Sequence, residues 1–231
     1  MLKQFVKSAL SALIAIGISH IAIAETPPEV AESYEAYKSA VLSLNQEKAE
    51  QSALAAWEAA EESLGNTKVT GDLAQNYADI AVVSKSNFKN IERAYKRSIE
   101  LSSYYPDDEA LTIRMDRTIS LASIMPNRDL YSKSMRGLIK GTLQDAESAN
   151  VEETTFLADI YTLQALVSYQ SRNFRAAKQE SSRAVAIYAE AQDDLSSPYR
   201  DIAEKLATGN SSLYPSWLSS NTQQVAAGGL D

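Results

Sequence analysis

The feature that most constrains this chain is the steady recurrence of apolar residues at spacings of three and four, with very few residues that would break a helix. Only 8 glycines and 6 prolines occur in 231 residues, and the apolar positions do not alternate as they would along strands. Val30, Tyr34, Tyr37, Val41 and Leu44 form a first stripe after Pro27-Pro28; Ala49, Ala53, Ala56, Trp57, Ala60 and Leu64 form a second, stopped at Gly65-Asn66. Further stripes run through Leu73, Tyr77 and Ile80, then Phe88, Ile91, Tyr95 and Ile99, then Leu111 to Ile124 behind Asp107 and Asp108 as caps. A sixth carries Leu130, Tyr131, Leu138 and Leu143; a seventh opens at Glu152-Glu153; an eighth carries Phe174, Ala177, Ala184, Val185 and Tyr188; Ser197-Pro198 starts a short ninth. The expected fold is all-α, an α-solenoid of antiparallel helix pairs over residues 30–207.

The first 24 residues read differently. Lys3 and Lys7 precede an apolar run from Ala9 to Ile18, and Ala22-Ile23-Ala24 supplies a small-x-small cleavage signal. The run is short of the roughly 20 residues that cross a bilayer, so a cleaved leader is expected, with export to a bacterial periplasm. No cysteine follows the run to take a lipid, and no later segment is apolar enough to span a membrane. Residues 25–29 are a lead-in, and 208–231 a partly disordered tail.

The leader takes the only histidine, His20, and the chain has no cysteine. Serine–histidine triads, thiol nucleophiles and zinc sites built on His or Cys therefore have no material in residues 25–231. No cofactor and no metal are expected. Charge is uneven: residues 25–84 carry 11 acidic and 3 basic groups, 85–140 carry 7 and 11, and 141–231 carry 12 and 6. The acidic total argues against nucleic acid as a partner.

Ser86-Asn87-Phe88 and Arg172-Asn173-Phe174 lie 86 residues apart at the same kind of inter-helix turn, and half that step relates Asp79, Ala122 and Ala165. Helix pairs recurring every ~34 to 47 residues mark an α-solenoid. With that period, Ala56 to Gly65 (AWEAAEESLG) followed by Leu73-Ala74-Gln75-Asn76-Tyr77-Ala78, and Tyr161, Ala165, Phe174, Ala177 and Ala184 in the last unit, make the chain resemble a tetratricopeptide repeat protein. The likeness is to the longer repeats of kinesin light chains and of many exported bacterial proteins. Asp79 stands where this pattern favours a small residue, and Ser134 and Gly141 replace the alanines that the last unit has at 177 and 184. The resemblance implies a non-enzymatic scaffold that binds a protein or peptide along the face lined by the first helix of each pair, and it admits an accessory role in cell-envelope or TonB-type transport machinery.

Lys85, Lys89, Arg93 and Arg97 repeat every four residues along one helical stripe, and Arg114 and Arg117 follow on the next first helix. Two readings of this basic middle are open. It is a solvated face paired with neighbours such as Glu92 and Asp116, or the two arginines clamp a carboxylate, helped by Asn76 and Tyr169, which makes the chain a receptor for an anionic peptide or glycan fragment. The adjacent carboxylates Glu61-Glu62, Asp107-Asp108, Glu152-Glu153 and Asp193-Asp194 suit helix faces and helix starts better than paired acid and base chemistry. Most aromatic residues are expected in the core; Trp217, in the tail, either caps the end of the stack or docks a partner.

Overall fold

The computed structural model describes residues 26–125, 132–152, 154–191 and 197–209. The expected leader, Leu130-Tyr131, Glu153, Asp193-Asp194 and Trp217 with its tail lie outside the described residues. Within them the chain is all-helical. The helices are α1 (Pro28–Leu42), α2 (Gln46–Ser63), α3 (Lys68–Val83), α4 (Phe88–Glu100), α5 (Asp107–Ile124), α6 (Lys133–Ser148), α7 (Thr155–Gln170), α8 (Phe174–Glu190) and α9 (Arg200–Thr208), with a 3-10 turn at Leu101–Tyr104. The chain forms two compact units, and the boundary falls between Tyr105 and Pro106.

In the first unit each helix packs on the next, α1 on α2, α2 on α3 and α3 on α4. Alanine makes this closeness possible: Ala53, Ala56, Ala60, Ala74, Ala78, Ala81 and Ala94 are buried where helices face one another, and Leu73, Tyr77, Ile91 and Tyr95 fill the space between. In the second unit α5 packs on α6 and α7, α6 on α7, α7 on α8, and α9 on α8 and α7. Its core holds Met115, Leu121, Met135, Ile139, Ile160, Leu163, Ile187 and Ile202. Each such side chain removed from water contributes about 1.5–3 kcal/mol. Consecutive helices packing on their neighbours give each unit a solenoid-like, hairpin-on-hairpin construction.

Side-chain caps set several helix starts. Asn45, Thr67, Asn87, Ser132, Thr154 and Asn173 each accept a backbone N–H of the first turn. Three expected starts differ. Asp107 is inside α5 rather than its cap: Pro106 occupies the cap position without a side-chain hydrogen bond, so acidity in the first turn acts through the helix dipole. The seventh helix begins at Thr155, not Glu152, because extended Thr154 presents its hydroxyl to Leu157 N–H. The ninth begins at Arg200; Ser197 Oγ accepts from Tyr199 N–H at 3.0 Å and so makes a turn ahead of the helix.

Two aromatic residues also depart from expectation. Phe174, placed on the eighth stripe, is 57% exposed, and Tyr104 is 51% exposed where most aromatic residues were expected in the core. Phe174 is the first residue of α8, where the helix has no preceding turn to pack against, and its ring meets Tyr169 edge-on at 5.3 Å.

Candidate functional site

The basic stripe of α4 forms one wall of an open groove of about 530 Å³, and α2 forms the other. Trp57 on α2 is buried, stacked on Tyr77 of α3 at 5.5 Å, and its indole N–H donates to Glu61 Oε1 at 3.1 Å. Arg97 grips the same carboxylate with two prongs, Nε to Oε1 at 2.7 Å and Nη2 to Oε2 at 2.9 Å, and reaches Asn66 and Glu100 with the rest of its fork. Such planar, two-point pairing is the strong form of an ion pair. The Arg97 hydrogen bond holds the Glu61 carboxyl below the ordinary glutamate range despite partial burial, and Glu61 in turn raises Arg97. Arg93 lies over the Trp57 ring at 5.2 Å, and Lys96 pairs with Glu92 at 2.7 Å. Lys89 and Arg93 are the exposed cations of this groove, and neither forms an ion pair among the described residues.

A second groove, of about 740 Å³, lies in the other unit between α6 and α8, with α7 beneath. Glu147 of α6 and Arg183 of α8 stand 86 residues after Glu61 and Arg97, the step that also relates the two Asn-Phe turns. Here a tyrosine is interposed: Tyr161 of α7 donates to Glu147 Oε1 at 2.7 Å and is hydrogen bonded by Arg183. Burial first, then Glu147, pushes the Tyr161 hydroxyl up to about 12.

The residues singled out from sequence fall as follows. Arg114 on α5 is paired with Asp145 of α6 beside Gly141, whose missing Cβ would lie 3.6 Å from the guanidinium. Arg117, on the same helix, is buried at 4% exposure, and its charge pulls the Asp116 carboxyl down against the stronger upward push of burial. Tyr169 stands at the end of α7 against Phe174. Asn76 is buried in α3 of the first unit, whereas the other three belong to the second. Asp79, the departure from the repeat pattern, accepts from Tyr95 O–H at 2.7 Å and from Gln75 at 3.0 Å, so it is an acceptor in the α3–α4 contact.

Sequence reading found the α4 stripe but missed what it faces. The signal was present in the 86-residue step, which carries Glu61 to Glu147 and Arg97 to Arg183 as well as the turns. Among the described residues no group of three or more acidic, His or Cys side chains is placed to hold a metal ion, and no helix is long and apolar enough to cross a membrane.

No protein-family model matches the chain, and no curated protein matches it.

Proposed function

We propose that this chain is a tetratricopeptide-like, non-enzymatic binding module that is exported and docks a protein or peptide partner outside the cytoplasm. The observation that carries the reading is the recurrence, in both units, of an open groove walled by alternate helices and lined by a Glu and an Arg from opposite walls and by an aromatic ring. Surfaces that mix aromatic and arginine side chains suit macromolecular contact, in which a few anchors supply most of the binding energy. The N-terminal Lys, apolar and Ala-Ile-Ala sequence supports export, and the absence of His and Cys from residues 25–231 supports holding over transforming.

A photo-crosslinking residue at Lys89 or Arg93, and another at Gln179, tests this in producing cells. The expected outcome is a discrete adduct of the same mass from a groove position in repeated preparations, in the extracytoplasmic fraction, with none from exposed Asp201 of α9. Absence of any adduct from either groove, or retention of an uncleaved chain in the cytoplasm, overturns the reading. Recruitment to cell-envelope or TonB-type machinery is decided by the identity of the captured partner.

A further inference from the structure

On the floor of the α6–α8 groove two acceptors are shut off from solvent and have no hydrogen-bond partner among the described residues: Gln164 Oε1 on α7 and Glu180 Oε2 on α8. Through their other atoms the same two side chains already touch, with Gln164 Nε2–H donating to Glu180 Oε1 at 3.4 Å. An ionised carboxylate has acceptors only and has nothing to offer an amide oxygen. Buried polar atoms left in this state are rare in folded proteins, and each calls for a cause. A proton on Glu180 supplies what both atoms lack, because it turns Oε2 into a donor beside an amide whose oxygen can only accept.

We propose that Gln164 and Glu180 form a proton-dependent clasp between α7 and α8. Closed, it is a two-point acid–amide pair, with Glu180 Oε2–H donating to Gln164 Oε1 and Gln164 Nε2–H donating to Glu180 Oε1. Open, Glu180 has lost that proton to solvent and the pair keeps a single bond. The clasp stands on side-chain geometry and does not depend on what occupies the groove.

Burial favours the closed form, and the Ser168 hydroxyl opposes it. Glu147 from α6 and Arg183 from α8 both engage Tyr161, and Lys140 of α6 lines the same groove. The Ser168 hydroxyl of α7 hydrogen bonds the Glu180 carboxyl. On α9, which packs on both helices, Arg200 is engaged with Tyr188, and Asp201, Glu204 and Lys205 are exposed. Burial raises the Glu180 carboxyl above its ordinary 4.5, against smaller downward effects of Ser168 and Gln164. A carboxyl raised on folding stabilises fully below its unfolded value and loses that contribution as pH rises through its folded value.

Denaturant unfolding of the full chain and of Glu180→Gln, between about pH 4 and pH 8, tests the clasp. The glutamine keeps a donor at every pH. The ratio of folding constants, variant over wild type, is expected to rise with pH by up to about tenfold per unit, then level off once Glu180 ionises in the folded chain. A carbon-13 titration of the Glu180 carboxyl in the unmodified chain reads the same event without a variant, with a midpoint expected above 4.5. A ratio flat across the range, or a midpoint at or below the ordinary value, overturns the proposal.

Discussion

Among the described residues, four helix ends are closed by the same device, and in three of them the residue that makes the closure is a poor choice for it. Leu44, Lys85, Asn150 and Arg172 adopt left-handed φ of 57°, 58°, 49° and 60°. At each, the N–H of the next residue reaches back to the carbonyl five earlier, as Asn45 does to Ala40 and Asn173 to Ser168 at 2.9 Å. Asparagine tolerates that backbone; leucine, lysine and arginine are strained in it. Leu44→Gly should therefore raise stability by about 1 kcal/mol, read as a higher urea midpoint, since its side chain is 62% exposed and gives up little packing. A lower midpoint would mean that the leucine earns its place through contacts instead. At the groove, Arg97→Ala should cost about 1–2 kcal/mol, and Arg97→Lys should recover less than half, because a single ammonium cannot reproduce the two-point grip on Glu61. Equal stabilities for the two variants would reduce the pair to a surface contact.

At the scale of elements, the short last helix depends on polar contacts as well as on Ile202, Ala203 and Leu206. Asp159 of α7, 5% exposed, accepts from both Tyr188 O–H and Ser197 Oγ–H, while Arg200 donates to the Tyr188 carbonyl and lies over its ring at 5.3 Å. Burial, then Asp159, pushes the Tyr188 hydroxyl far up, so it stays a donor throughout the physiological range. Asp159→Ala strands that buried donor and should cost about 2–3 kcal/mol. Amide exchange should quicken first in α9, and uniform quickening through α5 and α6 instead would refute a local latch. This contact was not legible in sequence: Asp159 and Ser197 are 38 positions apart, and only packing brings them together. Elements were far more legible than contacts. Period, the Gly65 stop and the Asn87 and Asn173 turns are local properties, whereas Glu61 meeting Arg97 across 36 positions depends on how α2 and α4 flank α3. The starts of α5, α7 and α9 were misjudged because several capping residues competed within a few positions, and the backbone bond each can make decides among them.

At the scale of the molecule, the proton inventory is unusually simple. With no histidine or cysteine in residues 25–231, the side chains there that can titrate between about pH 5 and 8 are displaced carboxyls. Glu61 is lowered by its Arg97 hydrogen bond; its contribution is full above the ordinary 4.5 and is lost as acid brings the pH down through its folded value. Asp116, raised by burial, has the opposite sign: it favours the folded state at low pH and weakens as pH rises. Thermal melts should thus show an acid shoulder that Glu61→Gln removes, and a shoulder left intact in that variant would assign it elsewhere.

The turns described above also bear on time. The α1–α2 and α7–α8 hairpins close over three residues each, 43–45 and 171–173, and their contacts join near neighbours in the chain. Little loop entropy opposes such closure, and helical hairpins of this kind form on the order of microseconds to milliseconds. A chain that must be threaded unfolded across a membrane works against that clock. On the proposed route, the first hairpin would begin to close as soon as residue 63 emerged, so translocation would have to outrun it or pull it open.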